Sequence, residues 1–281
     1  MNALEFSAEG GRWHVDLGGA IDLSIPLVFD GEQPRFFAEQ PAAAVPLKVG
    51  DFVGSVARGA SCNCAVYTLA PHCHGTHTEC VGHVTGDEAT LATRTPAAPC
   101  LALVISVEPR ALGAGTRPAP AQSSPSDRVL DRDTLEYAAA SWAEVAWSAL
   151  VVRTLPNPPG KRHRAYTGSA PAPYFTPDAM RWIVERGVTS LVVDLPSLDR
   201  ADDGGALAAH RVYWGLPAGA TRSDLAARGS ALVTELAYVP DAAADGLYLL
   251  DLQVPPFATD AAPSRPVIYP LRPASDGLTR S

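Results

Sequence analysis

The sequence has neither an excess of basic residues nor a long uninterrupted apolar run. Its 22 lysines and arginines are outnumbered by 30 aspartates and glutamates, giving a formal net charge of −8. An acidic chain lacks the basic surface that nucleic acids and anionic membranes require, so we expect neither as a partner. No apolar stretch is long enough to cross a bilayer, and the first residues lack the pattern of a signal peptide. We therefore expect a cytoplasmic protein that acts on a small molecule.

The sequence also lacks an even, dispersed set of cysteines. It has five, an odd number, and they are confined to residues 62–100. A secreted domain held together by disulfides would spread paired cysteines over its loops, so we expect free thiols instead. Cys62 and Cys64 are two residues apart, and we predict that they share one face of a strand as small buried side chains.

The remaining composition is typical of a globular protein. Hydrophobic residues make up 47% of the 281 residues, and no internal repeat is evident, so we predict a single domain over residues 1–281. The run Cys100–Val107 is almost entirely apolar and predicts a buried central strand. Thr176 before Pro177 predicts a helix start, with Gly187 as its end. Asp133 predicts the start of another helix that extends to Trp142.

Histidine is scarce, yet four of the seven histidines lie in one segment, Pro71–His83, with two cysteines and a glutamate. Each buried imidazole needs its own hydrogen-bond partners, which makes such crowding unusual for packing alone. If the segment is extended after Gly75, His77 and Glu79 point the same way. An imidazole and a carboxylate that converge in this manner predict a site for a divalent metal.

A structural zinc knuckle is the alternative to an open, catalytic metal site. It would need paired thiolates at Cys-x-x-Cys spacing, and Cys73 and Cys80 do not have that spacing. An enzyme with Cys73 or Cys80 as nucleophile, activated by His77, is also conceivable, but it leaves Glu79 without a role.

From position 73 onward the segment resembles the His-x-Gly-Thr-His-x-Asp-x-Pro-x-His signature of the cyclase family, metal hydrolases that include bacterial kynurenine formamidase and isatin hydrolase. The resemblance places His77 and His83 at two histidine ligand positions and Glu79 at the aspartate position that bridges or shares the metals. Cys73 stands where the family has its first histidine ligand, and Val81 stands where it has proline. The resemblance leaves open whether Cys73, His72 or His74 is the third proximal ligand.

More distant residues extend this resemblance. The run from Asp194 to Asp199 resembles a strand end of the family near its metal site, and His210 and Glu235 match the distal histidine and glutamate ligands. Glu235 also lies in an apolar run, where a carboxylate is unfavourable to bury unless it meets a cation. The predicted metal-facing set is Cys73, His77, Glu79, His83, His210 and Glu235.

The resemblance implies an α/β fold with a central mixed, barrel-like sheet flanked by helices, and assembly as a homodimer or homotetramer. It implies a hydrolase of the arylformamidase type, which cleaves a C–N bond of an amide, formamide or lactam with a metal-activated water. Zinc is the expected metal, manganese is an alternative, and one or two ions are expected per chain. The expected catalytic groups are His83, His74 and Glu235. Alternatives are a lactonase or dehydratase that uses the same site, and a metal-stabilised binding protein without turnover.

Overall fold

The structure is a computed structural model that describes residues 3–8, 11–37, 40–93, 98–113, 123–166 and 172–274. The strands are β1 (Ala3–Ala8), β2 (Gly11–Asp16), β3 (Ile21–Asp22), β4 (Arg35–Phe36), β5 (Ala43–Pro46), β6 (Lys48–Val49), β7 (Phe52–Val53), β8 (Ala65–Thr68), β9 (His77–Glu79), β10 (Cys100–Val107), β11 (Arg110–Ala111), β12 (Arg128–Leu130), β13 (Ala149–Thr154), β14 (Ala165–Tyr166), β15 (Tyr174–Phe175), β16 (Ser190–Val193), β17 (Leu232–Glu235), β18 (Gly246–Gln253), β19 (Ala261–Pro263) and β20 (Arg265–Pro273). The helices are α1 (Pro71–His74), α2 (Arg132–Ala139), α3 (Pro177–Glu185) and α4 (Ala208–Trp214).

Within the described ranges, one mixed sheet of eleven strands dominates the fold. Its hydrogen-bonded order is β1-β2-β20-β18-β10-β13-β16-β17-β9-β19, and β3 pairs with β20. The central strands β10, β13, β16 and β17 are parallel, whereas β18 and β9 flank them in the antiparallel direction. The expected α/β fold, with a mixed central sheet flanked by helices, is confirmed.

Side chains of the central strands alternate between two apolar clusters. On β10, Leu101, Leu103 and Ile105 pack in the cluster that also contains residues of α2, α3 and α4. Ala102 and Val104 lie in the other cluster, with residues of β18 and β20. Because both faces are covered, β10 is apolar along almost its whole length, as the sequence of Cys100–Val107 indicated.

The helix starts show how far local patterns specify the fold. The hydroxyl of Thr176 accepts a hydrogen bond from the Ala179 backbone N–H, which confirms the predicted cap of α3. The predicted start of α2 at Asp133 is wrong by two residues. The carboxylate of Asp131 accepts from the Thr134 N–H at 3.1 Å and caps the helix, while Asp133 pairs with Arg110 on the surface.

The prediction for Cys62 and Cys64 is also wrong. Both residues are exposed and precede β8, in a segment without strand structure. The backbone of Cys64 pairs instead with Leu47 and Gly54, so this stretch follows the surface hairpin of β6 and β7. Among the described helices, none combines the length and the apolar character needed to cross a membrane.

Candidate metal centre

The candidate site lies at the carboxyl-terminal edge of the parallel strands, which is where α/β sheets commonly place ligands. Glu235 is the last residue of β17, and the segment that follows β16 leads to Asp199. Strand β9 runs antiparallel beside β17, with His77 directly opposite Glu235. The sheet itself therefore brings the histidine-rich segment to the distal glutamate that the sequence predicted.

Alternation along β9 orients its side chains as the sequence indicated. His77 and Glu79 are completely buried and point to the same face. The intervening Thr78 points to the other face, where its hydroxyl lies 2.7 Å from the hydroxyl of Thr234. This hydroxyl pair joins β9 to β17 and fixes which face of β9 meets the site.

A second threonine fixes the loop before β9. The Thr76 hydroxyl donates to the carbonyl of Leu236 at 2.6 Å and accepts from the Ile25 N–H at 2.8 Å. Thr76 is buried, so these bonds are shielded from water. The loop is therefore held both to the end of β17 and to the segment that follows β3.

Three imidazoles share one arrangement: one ring nitrogen faces an oxygen acceptor at the periphery, and the other faces the cluster. Nδ1 of His77 lies 2.9 Å from the Gly75 carbonyl, and Nδ1 of His210 lies 2.7 Å from Oδ2 of Asp199. Nε2 of His72 lies 2.8 Å from Oδ2 of Asp260. Such outer partners set the tautomer of metal-binding histidines, since the nitrogen that donates leaves the other with its lone pair free.

Two carboxylates occupy the centre of these imidazoles. Oε1 of Glu79 lies 3.0 Å from Nε2 of His210, and its Oε2 lies 3.1 Å from Nδ1 of His72. Oε1 of Glu235 accepts from the Leu198 N–H at 2.8 Å, and its Oε2 lies 3.5 Å from Nε2 of His77. Glu79 thus faces a different imidazole with each oxygen.

Several of these buried atoms lack a hydrogen bond of normal geometry, although they face one another at short range. They are His77 Nε2, His210 Nε2 and both oxygens of Glu79. Buried polar atoms nearly always have a partner, so a convergent group of unpartnered nitrogen and oxygen atoms indicates a site suited to a cation. In each of three groups the ligand atoms lie within 4.8 Å of one another: His72, His77 and Glu79; His72, His83 and Asp260; and Glu79, His83 and His210. The residues fit a divalent ion.

The electrostatics of the cluster are those of carboxylates that attract positive charge. Burial alone would lower the pKa of His72, but Asp260 and Glu79 raise that pKa to about 10. Burial would also lower the pKa of His210, but Glu79 and Asp199 raise that pKa well above its usual range. Burial would raise the pKa of Glu79, but His83 and His210 hold it well below its usual range. A divalent ion would replace these protons as the counter-charge.

Two of the residues predicted to act in the site are not brought into the cluster. Among the described residues, the sulfur of Cys73 belongs to no group of His, Cys, Asp and Glu ligand atoms fit for a metal. His74 is buried beside the backbone: its Nδ1 accepts from the Ala70 N–H at 2.9 Å, and its Nε2 lies 2.8 Å from the Gln40 carbonyl. The structure therefore places His72 and His83, and neither the Cys73 sulfur nor the His74 ring, among the ligand atoms of the cluster.

His83 follows β9 in a 3-10 turn, Val81–Val84, and is less tightly held. Its Nδ1 lies 3.5 Å from Oδ2 of Asp260 and 3.8 Å from Oε2 of Glu79, and its ring stacks on His72 at 4.3 Å. The His83 side chain is 26% exposed, whereas His77 and Glu79 are fully buried. It stands at the solvent side of the cluster.

An apolar cavity of about 700 Å³ opens beside the cluster. His72 and Asp260 line it on the cluster side, and Phe29, Tyr67 and Phe257 are among its other walls. The rings of Phe29 and Tyr67 lie 4.8 Å apart. A substrate bound here would reach the donor atoms from the side on which His72 and Asp260 are partly exposed.

Sequence reasoning missed Asp260 altogether. It lies 188 residues from His72, and no motif surrounds it. Asp199 was noted only as part of a resembling strand end, although its carboxylate also accepts from the backbone N–H groups of Ala209 and His210 at the start of α4. Only the three-dimensional fold reveals that both aspartates support imidazoles.

Comparisons with known proteins concern the fold and the family. No curated protein matches the chain. Isatin hydrolase A from Labrenzia aggregata, solved with benzyl benzoate, is 14% identical, with a TM-score of 0.58 over 89% of this chain and 93% of that chain. Isatin hydrolase A from Ralstonia solanacearum is 15% identical, with a TM-score of 0.55 over 89% and 91%. A predicted metal-dependent hydrolase from Bacillus stearothermophilus is 12% identical, with a TM-score of 0.54 over 89% and 97%.

These structural likenesses establish the shared fold, and the family follows from the sequence. The family model described as "Putative cyclase" matches residues 21–200, which is more than half of the chain. The match includes the whole histidine-rich segment and the run from Asp194 to Asp199. The chain therefore belongs to the cyclase family.

Proposed function

We propose that this protein is a metal-dependent hydrolase that cleaves a carbon–nitrogen bond in an amide, formamide or lactam. The observation that carries the proposal is the convergence of three oriented imidazoles on two buried carboxylates. Within this group, Nε2 of His77, Nε2 of His210 and both oxygens of Glu79 lack hydrogen bonds. Family membership supports it, and so do the names of the structural relatives, which include metal-dependent hydrolase and isatin hydrolase.

Mixed nitrogen and oxygen donors suit zinc first and manganese second. A bound divalent ion would polarise the substrate carbonyl and lower the pKa of a water molecule toward neutrality. His72, His77, His210, Glu79 and Glu235 would hold it. Because the two oxygens of Glu79 face different imidazoles, one carboxylate can serve two ions, and we propose one or two ions per chain.

The protein's own groups would also manage the protons. Hydrolysis adds a water oxygen to the carbonyl carbon, breaks the C–N bond and requires a proton on the departing nitrogen. His83 suits this transfer because it lies at the solvent side of the cluster, beside Asp260 and Glu79. Glu235 is fixed by the Leu198 N–H through one oxygen. Its other oxygen, 3.5 Å from Nε2 of His77, would help to hold the ion and to orient the attacking water.

The cavity beside the cluster suggests the shape of the substrate. Its walls are largely apolar, with the Phe29 and Tyr67 rings close together and Phe257 about half exposed. Aromatic walls favour a flat, largely apolar group on the acyl or amine side of the scissile bond. An aryl amide or a fused aromatic lactam fits this description.

A lactonase or a dehydratase would use the same groups, so the test substrates must also include lactones and hydroxy acids. A binding protein without turnover would close the metal's coordination sphere. The partly exposed side chains of His72, His83 and Asp260 favour access from the cavity instead. Assembly as a homodimer or homotetramer stays a prediction from the family resemblance.

The test combines metal analysis with hydrolysis assays on the purified protein and on His77→Ala. We expect the wild-type protein to hold one or two equivalents of zinc or manganese and to hydrolyse aryl amides or lactams. His77→Ala should lose most of the metal and reduce turnover by at least about a hundredfold, because a first ligand is removed from a buried site.

His14→Ala is the matched control, since His14 is exposed on β2. It should keep both metal and activity. Full turnover by His77→Ala, or a wild-type protein that binds no metal even after reloading, would refute the proposal. Metal binding without hydrolysis of any amide, lactam or lactone would support the binding protein instead.

A further inference from the structure

Cys73 occupies the position of the first ligand in the family signature. In the structure, however, the imidazole that lies beside Glu79 is that of His72. The two residues are consecutive in α1, where neighbouring side chains point about 100° apart. Only one of them can face β9. Nδ1 of His72 lies 3.1 Å from Oε2 of Glu79, and the His72 ring meets the edge of the His77 ring at 5.0 Å.

The orientation of His72 depends on Asp260. An ionised carboxylate only accepts hydrogen bonds, so Nε2 of His72 carries the proton that it donates to Asp260 at 2.8 Å. With a metal ion in place of the second ring proton, Nδ1 would offer its lone pair, and it is the nitrogen that faces Glu79. Asp199 orients His210 in a similar way: Nδ1 of His210 faces Asp199, and its Nε2 faces Glu79.

The backbone of Asp260 is itself fixed by the histidine-rich segment. Its carbonyl accepts from the Cys80 N–H at 3.0 Å. The next residue, Ala261, begins β19 and lies directly opposite Glu79 in the register of β9. The carboxylate thus reaches the cluster from the residue just before β19, and the pairing of β19 with β9 fixes the backbone from which Asp260 extends.

We propose that Asp260 is a positioning residue that makes His72 a metal ligand through Nδ1, in place of Cys73. This inference rests on the proposed metal centre. The thiol, which would have been a ligand by its place in the signature, takes no part in binding. The ligand has moved by one residue along the chain, and Asp260 supplies the outer carboxylate that the new ligand requires.

The experiment measures the affinity for Zn²⁺ by competition with a chromophoric chelator, for the wild type and the variants His72→Ala, Cys73→Ser, Asp260→Ala and Asp260→Asn. His72→Ala should weaken binding by more than about a hundredfold, and Asp260→Ala by about ten- to a hundredfold, as loss of an outer partner typically does. Asp260→Asn should recover part of that loss, because its amide oxygen still accepts from Nε2. Cys73→Ser should bind as the wild type does.

A second readout does not depend on hydrolysis. The protein loaded with Co²⁺ should show ligand-field absorption that changes in His72→Ala and Asp260→Ala, and no thiolate-to-cobalt charge-transfer band. Asp224→Asn is the control for a carboxylate lost from the surface, where Asp224 pairs with Arg222. Circular dichroism and thermal unfolding in chelator would verify that each variant is folded.

The outcomes separate this inference from the proposed function. A charge-transfer band that disappears in Cys73→Ser, together with weakened binding, would overturn the inference and leave a metal hydrolase intact. Wild-type affinity in Asp260→Ala would overturn the positioning role of Asp260. Tight metal binding that follows the predicted pattern, without any hydrolysis, would refute the proposed function and support the inference.

Discussion

The imidazoles of the site differ in how firmly they are held, and this difference suggests different roles. His77 and His210 are buried, and each has a peripheral acceptor within 2.9 Å. The nearest carboxylate oxygens to Nδ1 of His83 are 3.5 and 3.8 Å away, so its ring can move relative to the others. A group that gives up and regains a proton in each turnover benefits from this freedom, whereas a ligand benefits from rigidity.

We expect His83→Gln to reduce kcat by about 10²- to 10⁴-fold, the range typical for loss of a general acid or base. The metal content should stay close to that of the wild type, because the buried donors remain. Steady-state kinetics and metal analysis of the same preparation would measure both quantities. Loss of the metal in this variant would instead identify His83 as a ligand.

The residues of the site could be predicted from the sequence where local geometry decides their direction. His77 and Glu79 are two apart on a strand, and Glu235 is a carboxylate in an apolar run, so each had an independent physical reason. The choice between His72 and Cys73 depends on how a four-residue helix is turned, which no spacing rule reveals. Asp260 requires knowledge of the strand order at the edge of the sheet.

At the scale of elements, the 3-10 turn Val81–Val84 carries His83 from the end of β9 to the solvent side. Gly82 lies in this turn under tight packing. A Cβ built there would lie 2.0 Å from the carbonyl oxygen of Ala89 and 3.3 Å from Cβ of Asp260. The backbone on both sides is fixed, so the turn has no room for a side chain at this position.

Gly82→Ala should therefore displace the turn and move His83 and Asp260 apart. We expect at least a tenfold loss of kcat/KM and a loss of about 1–3 kcal/mol in the free energy of unfolding, as overpacking usually causes. Kinetics and urea unfolding would measure them. Gly86→Ala is the matched control, because its Cβ would meet only the Thr221 carbonyl at 3.8 Å. Equal effects in both variants would contradict the packing argument.

The two helix starts also differ in how well the sequence predicts them. The start of α3 was predictable because a capping hydroxyl and a proline coincide at Thr176 and Pro177. Around α2 the chain offers Asp131 and Asp133 as competing caps, and Thr134 decides between them by pairing with Asp131 through both its backbone and its hydroxyl. Such reciprocal pairs act through side-chain geometry, so a propensity rule alone selected the wrong aspartate.

For the whole molecule, the metal centre and the apolar core are largely separate. The two main clusters cover the faces of the central strands, and the ligand atoms lie at the strand ends. Removal of the proposed metal would leave the buried carboxylates Glu79 and Glu235 without a cation, which is unfavourable, but it would not open the core.

Metal at a hundredfold excess over its Kd stabilises the folded state by about 2.7 kcal/mol. We therefore expect chelation to lower the Tm by about 5 °C while the protein stays folded. Scanning calorimetry with and without chelator would measure the shift, and added Zn²⁺ should restore it. An unchanged Tm after verified metal removal would show that the ion does not bind this cluster. Complete unfolding would indicate a structural metal.

The position of β9 between β17 and β19 has a consequence for how the protein is made. Both neighbours of β9 are more than 150 residues further along the chain, so the histidine-rich segment leaves the ribosome long before its sheet partners exist. At typical translation speeds this delay is on the order of 10–35 s. During this time four histidines and two thiols are exposed on an unpaired segment, where cellular metals and chaperones can reach them. The cluster is complete only after β19 is synthesised, so we expect loading of the proposed metal to be a late event in biogenesis.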